Sequence, residues 1–222
     1  MALQGVLFDL DGTLAETEPL WRQAYRELAA THGVALEEGW WSTVIGRDLG
    51  DAAVALLGGD IDTPQRRREA VEHLVDSAVA LLGERATETE QLVVEWRPGA
   101  RDLLGDLVRS QVPTAVVTAT PRRLLDALAH HLGIEVEVTV AGDEVERPKP
   151  DPEGYRTAAQ RLGIDVEEAV VVEDSPTGVA AAAASGARVL AVPAGVPIPP
   201  TPGCTVVDSL VEVTPQMLAT LP

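Results

Sequence analysis

Cysteine is nearly absent from this 222-residue chain, which contains one, Cys204. A lone thiol cannot close an internal disulfide, so a small cross-linked secreted scaffold is excluded. Cys204 lies in a Pro-rich C-terminal loop and reads as a small, half-buried residue rather than a nucleophile. Long hydrophobic runs are missing too: no uninterrupted apolar stretch could cross a bilayer, and no signal-peptide pattern precedes the first apolar run. These absences set a cytoplasmic expectation. Positive charge is also scarce, with 17 Lys and Arg against 35 Asp and Glu and a net charge of −18. That balance argues against nucleic acid or an anionic membrane as a partner, since both require a basic patch. It also repels a phosphorylated ligand at long range. An anion site would have to be made locally, by a bound cation, a few basic side chains and backbone N–H groups.

What is present begins at the N-terminus. Hydrophobic residues make up 45% of the chain, enough for one large domain or a core plus a smaller module. Gly5 to Leu14 reads Gly-Val-Leu-Phe-Asp-Leu-Asp-Gly-Thr-Leu. The short apolar run suits a fully buried parallel strand, and in open α/β sheets ligands bind beyond the carboxyl ends of such strands. Asp11-Gly12-Thr13 by itself also fits a turn or a helix cap. A turn does not explain Asp9, an acid at the last buried position, where an unpaired charge is costly unless a cation neutralises it. Two carboxylates two residues apart, followed by glycine, suit a hard, oxygen-seeking ion such as Mg²⁺.

From Leu20 to about Glu95 the pattern is helical. Trp21 to Ala30, Asp51 to Leu57 and Gln65 to Leu82 all carry apolar residues at helical spacing, with no convincing strand between them. After Arg97-Pro98-Gly99 strands and helices alternate. Helices are expected near Ala100 to Arg109, Pro121 to His131, Glu153 to Leu162 and Gly178 to Ser185. Strands are expected at Thr114 to Thr118, Val136 to Val140, Ala169 to Glu173, Arg188 to Val192 and Thr205 to Val207. Such alternation means an α/β fold, a parallel sheet with helices on both faces. The first strand then belongs to a sheet whose other strands come about a hundred residues later. The helical module hangs between them on linkers near Ala15 to Pro19 and Val94 to Gly99, and Pro193 to Pro202 forms an irregular arm.

Three further strand ends carry polar groups that complement Asp9 and Asp11. Thr118-Ala119-Thr120 offers a hydroxyl and free N–H groups ahead of Pro121, although Thr118 equally suits a strand residue and Thr120 a helix cap. Lys149 stands between Pro148 and Pro150, rigidly placed, where a lysine is otherwise a solvated loop charge. Glu173-Asp174-Ser175 ends another apolar run, and its second acid either caps the next helix or shares a metal site with Asp9 and Asp11.

Taken together, these segments resemble the haloacid dehalogenase-like hydrolase superfamily. Phe8 to Leu14 is similar to its first motif, Val117 to Thr120 to its second, Lys149 to Pro152 to its third and Val172 to Ser175 to its fourth, in the same order. The helical insert resembles the α-helical cap of the subgroup that includes phosphoglycolate phosphatase and β-phosphoglucomutase. The resemblance implies a Rossmann-like core formed by residues 1–17 and 96–222, with a cap over 18–95. It implies that Asp9 attacks phosphorus to form an aspartyl-phosphate, and that Asp11 protonates the leaving alcohol and then activates water. Mg²⁺ would be held by Asp9, Asp174 and the main-chain carbonyl of Asp11, with Glu173 supporting these ligands rather than binding directly. Thr118, the N–H of Ala119 and Lys149 would bind the phosphoryl oxygens.

Substrate choice falls to the cap, where Glu18 and Arg47 are candidate substrate contacts; for Arg47 a helix-end charge is an equal alternative. Trp21 fits cap-core packing somewhat better than a role at the site. The expected function is Mg²⁺-dependent hydrolysis of a small phosphorylated metabolite by a monomer with no nucleic-acid or membrane partner. The alternative is a sugar phosphomutase of the β-phosphoglucomutase type, weakened because that enzyme has a histidine where this chain has Trp21. A response-regulator receiver also combines acids, Thr and Lys at strand ends, but it has no use for a leaving-group acid or a cap.

Overall fold

The computed structural model describes residues 3–45, 47–58, 61, 63–83 and 94–222. Six strands form one parallel sheet: β1 (Gly5–Phe8), β4 (Thr114–Val117), β5 (Val138–Val140), β6 (Ala169–Glu173), β7 (Arg188–Ala191) and β8 (Cys204–Val206). Their spatial order is β5-β4-β1-β6-β7-β8. The chain therefore runs outward from the centre to β4 and β5, then returns to β6 on the other side of β1. That reversal creates the crevice at which open α/β sheets bind ligands.

Register follows from side-chain alternation. Val6 and Phe8 enter one core and Leu7 the other; Val170 and Val172 enter the first core, Ala169 and Val171 the second. The period of two sorts each strand's residues onto opposite faces, and burial on both faces explains why these strands read as continuous apolar runs. Phe8 lies opposite Val116 of β4 and Val172 of β6, so the residues that follow emerge side by side.

Helices α4 (Ala100–Arg109), α5 (Arg122–Leu132), α6 (Glu153–Leu162) and α7 (Pro176–Ser185) cover the sheet. Helix α4 buries Ala100, Leu103, Leu104 and Leu107, an i, i+3, i+4, i+7 stripe. Helix α5 buries Leu124, Leu125 and Leu128 and stops at Gly133, whose φ of 67° suits a left-handed C-terminal position. Helix α7 buries Gly178, Val179, Ala181 and Ala182, small residues that let it lie close to the sheet. A short α8 (Pro215–Ala219) closes the C-terminus.

The insert contains α1 (Glu18–Thr31), α2 (Leu49–Leu57) and α3 (Pro64–Gly83), with a 3-10 turn at Trp40–Thr43. Leu20, Trp21, Ala24, Tyr25 and Leu28 of α1 meet Ala70, Leu74, Val75 and Ala78 of α3 in a core continuous with one face of the sheet. Residues 84–93, expected to complete the insert, lie outside the described residues, as does Gly46 beside Arg47. The two linkers are more regular than the sequence suggests. β2 (Ala15–Glu16) and β3 (Glu95–Trp96) pair antiparallel, so the chain leaves and re-enters the sheet through one ribbon. Arg97 reinforces it with a 2.6 Å ion pair to Glu16. Cys204 opens edge strand β8 instead of lying in the proline-rich loop. Among the described residues no helix is long and apolar enough to cross a membrane.

Candidate active site

Asp9 follows the last residue of β1, and its N–H donates to the Val172 carbonyl at 3.0 Å, so the sheet fixes its backbone. Lys149 approaches it from the loop between β5 and α6. The Lys149 ammonium donates to Asp9 Oδ1 at 2.6 Å, to Glu173 Oε1 at 2.7 Å and to the Val117 carbonyl at 3.1 Å. Its three protons thus have three acceptors, drawn from the ends of β1, β4 and β6. Lys149 is the only lysine in the chain. Burial alone would lower its pKa; the carboxylates of Asp9 and Glu173 override that and hold it well above the usual lysine value. The solvated-lysine alternative does not apply.

Glu173 is fully buried. Its Oε1 accepts from Lys149 and from the Tyr155 hydroxyl at 2.8 Å, and Oε2 accepts from Asp174 N–H, Ser175 N–H and the Ser175 hydroxyl at 3.0, 3.2 and 3.1 Å. Both oxygens are therefore occupied by protein donors. Gly178, in the first turn of α7, makes room for this carboxylate, because a Cβ there would overlap it. Ser175 caps α7 through a 3.1 Å bond from Gly178 N–H, which leaves Asp174 free of any capping duty.

Oxygens of Asp9, Glu173 and Asp174 lie within 4.8 Å of one another. Asp9 Oδ2 is buried without a hydrogen-bond partner. Burial raises the pKa values of both Asp9 and Asp174; the Glu173 and Asp11 carboxylates raise that of Asp9 further against the opposing Lys149 ammonium, and the Asp9 carboxylate raises that of Asp174. With Glu173 saturated, the open donors are Asp9 Oδ2 and the Asp174 carboxylate. Two hard anionic oxygens that mutual repulsion disfavours fit a divalent cation such as Mg²⁺. Gly12, at φ 84°, permits the approach, since a Cβ would overlap the Asp174 carboxylate.

Asp11 faces a different set of partners. Oδ1 accepts from the Thr17 hydroxyl at 2.7 Å and from the Trp21 indole N–H at 3.2 Å. Oδ2 accepts from the hydroxyls of Thr118 and Thr120, each at 2.8 Å. Two donors come from the end of β4 and two from the linker and first turns of α1, so Asp11 bridges sheet and insert. Thr118 also accepts from Thr120 N–H at 3.0 Å. Thr120 therefore serves Asp11 rather than capping α5, whose preceding residue Pro121 has no capping side chain. Ala119 is exposed at the tip of this turn, held from behind by Gly142, where a Cβ would overlap the Ala119 carbonyl.

The insert residues are less convergent. Glu18 is paired at 2.7 Å with Arg22, one turn along α1. Arg22 in turn lies 5.0 Å from the centre of the Trp41 ring. Arg47 is exposed before α2. Trp21 combines both readings offered for it, being 9% exposed within the core and a donor to Asp11. Sequence reasoning missed Thr17 and Tyr155 and gave Thr120 only a capping role. Thr17 lies six residues beyond Asp11, and Tyr155 one helical turn beyond the Lys149 loop.

A parallel sheet whose central strand ends gather paired carboxylates, a buried ammonium and hydroxyl donors around one crevice defines an α/β enzyme core of the hydrolase type. The sequence model of the haloacid dehalogenase-like hydrolases matches residues 3–186, and this chain belongs to that family. Among its relatives, hexitol phosphatase A of Escherichia coli is 35% identical over 201 residues, covering 86% of this chain and 84% of the relative. Validoxylamine A 7'-phosphate phosphatase of Streptomyces hygroscopicus is 34% identical over 185 residues, 81% of each protein. The crystal structure of CbbY from Rhodobacter sphaeroides in complex with phosphate superposes with a TM-score of 0.83 at 28% identity, covering 98% of this chain and 99% of that one.

Proposed function

We propose that this phosphoric monoester hydrolase is a Mg²⁺-dependent phosphatase acting on a small phosphomonoester, a sugar phosphate or similar metabolite, through an aspartyl-phosphate on Asp9. The observation that carries the reading is the environment of Asp9. One oxygen is bound by the Lys149 ammonium, and the other is buried, unpartnered and beside a second unsatisfied carboxylate. The names of the relatives, hexitol phosphatase and validoxylamine phosphate phosphatase, support the substrate class.

A phosphate monoester dianion repels an attacking carboxylate, so catalysis requires charge neutralisation and alignment. Asp9, Asp174 and the Asp11 carbonyl would hold Mg²⁺, which would supply positive charge to offset the negative charge of the phosphoryl group. Asp9 forms the new bond to phosphorus, and the bond from phosphorus to the leaving alcohol breaks. Lys149 keeps Asp9 aligned and neutralises charge on the transferring oxygens. Thr118 and the Ala119 N–H bind other phosphoryl oxygens, which requires the Thr118 hydroxyl to turn from Asp11 towards the ligand. Asp11 gives a proton to the departing alkoxide, then takes one from the water that attacks the aspartyl-phosphate, releasing inorganic phosphate. Glu173 stays off the metal and anchors Lys149 and the Asp174-Ser175 turn. In this reading residues 18–95 are a cap over the core of residues 1–17 and 96–222, with Glu18 and Arg47 as candidate substrate contacts, and the enzyme works as a monomer in the cytoplasm.

The test is phosphate release from a generic aryl phosphate, with Mg²⁺ and after chelation, followed by a panel of phosphorylated sugars and polyols. Release that requires Mg²⁺ is expected. No release, or equal release from Asp9→Asn, refutes the reading. Conversion of a sugar phosphate to its isomer without free phosphate would indicate a mutase instead.

A further inference from the structure

Among the described residues Tyr155 is the largest fully buried side chain, and it lies in the first turn of α6, directly behind the active site. Its hydroxyl donates to Glu173 Oε1 at 2.8 Å, and its ring centre lies 5.0 Å from the Lys149 nitrogen. We propose that Tyr155 is a positioning residue for phosphoryl transfer, which sets how the Lys149 ammonium is shared between Glu173 and Asp9. The inference rests on the phosphatase reading above.

The geometry works through competition for one ammonium. Lys149 is held at 2.6 Å by Asp9 and at 2.7 Å by Glu173, two carboxylates of the same charge. Glu173 cannot turn away, because its second oxygen is fixed by three donors of the Asp174-Ser175 turn and its flank is closed by α7 at Gly178. What remains adjustable is the electron density on Oε1. The Tyr155 proton occupies one lone pair of that oxygen and weakens its pull on Lys149. Without it, Oε1 would be bound by Lys149 alone, and the ammonium would move towards Glu173 and away from Asp9. The burial of the hydroxyl leaves no water to replace the lost donor. The tyrosine ring adds a quadrupole attraction that holds the ammonium in place but does not choose between the carboxylates.

Tyr155→Phe separates these effects, since it keeps the ring and removes the hydroxyl. A hydrogen bond to a charged group changes a rate by roughly tenfold when its contribution is confined to the transition state. The expected result is a kcat lowered by about that factor, with KM changed less than about twofold. The second readout needs neither metal nor substrate. Because Lys149 is the only lysine, its ammonium gives one side-chain nitrogen resonance in the metal-free protein, and Tyr155→Phe should shift it and speed its proton exchange.

A kcat within twofold of the parent overturns the proposal, as does a loss of kcat with an unchanged Lys149 resonance, which would mark a packing role. Should the phenylalanine variant fail to fold, 3-fluorotyrosine at position 155 decides the matter. This more acidic phenol keeps the shape and donates more strongly, so the Lys149 resonance should move opposite to the phenylalanine shift; no movement overturns the proposal. Should the parent release no phosphate from any substrate, the phosphatase reading fails, while the ammonium resonance still reports whether Tyr155 controls Lys149.

Discussion

The strand-end site and the helical insert are built on opposite principles. At the strand ends, Asp9, Lys149, Glu173 and Tyr155 form a closed network, buried and satisfied by fixed partners except where Asp9 Oδ2 and Asp174 face each other. In the insert, the polar groups Glu18, Arg22 and Arg47 are half-buried or exposed. Its stability comes from apolar packing of α1 on α3 and a cluster of Trp21, Tyr25, Trp40 and Trp41 with ring centres 5.5 to 6.5 Å apart. On the proposed reading, the difference separates the seat of chemistry from that of specificity. On that reading a charge network buried at the strand ends is sensitive to substitution, whereas an apolar module with exposed polar groups can vary its substrate contacts without unfolding the core.

The contrast breaks most visibly at Lys149. Lys149→Ala leaves Asp9 and Glu173 as buried carboxylates without their cation, and unfolding should become easier by about 3–5 kcal/mol. Turnover should fall to background, since both charge neutralisation and Asp9 alignment are lost. Denaturant unfolding and phosphate release measure the two effects, and a stable, active variant would show that the network is dispensable. Gly178→Ala is expected to cost about 1–3 kcal/mol, because the new methyl must displace the Glu173 carboxylate. A thermal melt matching the parent would mean that Glu173 has room to move.

On the insert side, Trp21→Phe keeps an aromatic ring and removes the indole donor to Asp11. The loss of one hydrogen bond, about 1 kcal/mol, should lower kcat by up to roughly fivefold and leave the melting temperature close to that of the parent. Arg47→Ala should change stability by less than about 0.5 kcal/mol, and any effect should fall on KM for the preferred substrate. If Arg47→Ala instead costs as much stability as Gly178→Ala, the division between the two regions fails.

The smallest effect concerns pH. Hydrogen bonding to Arg122, assisted by Arg161, lowers the Glu144 pKa from 4.5 to about 2 against the opposing effect of burial. The folded value lies below the unfolded one. Its stabilisation is therefore complete above the ordinary glutamate range and is lost as pH falls from about 4.5 towards 2. Because these side chains are partly exposed, the contribution should stay under about 1 kcal/mol and shrink with added salt. Acid unfolding of Glu144→Gln against the parent measures it.

Much of the core was legible because each motif is local. Asp9 and Asp11 follow one apolar run, Glu173 and Asp174 another, and the parallel register that brings them together follows from alternation of strands and helices. Helix α6 and strand β6 have the bounds that their apolar pattern predicts. The linker ribbon of β2 and β3 was not legible, since its two-residue strands are too short for a periodic signal and pair across some eighty residues. Thr17 and Tyr155 were hidden too, and for Trp21 the sequence slightly favours packing over a role at the site. Their importance lies in what they touch in space, and in sequence each looks like a helix cap or a core residue. Lys149 was visible through its flanking prolines, but its burial between two carboxylates is a tertiary fact.

The most direct test of the central claim, that the strand-end network makes Asp9 a nucleophile, is rapid acid quenching during turnover followed by peptide mass spectrometry. A phosphoryl adduct on Asp9 is expected, appearing only with Mg²⁺ and substrate and absent from Asp9→Asn. Turnover at the parent rate with no adduct on Asp9, or with the adduct on another residue, would contradict the account.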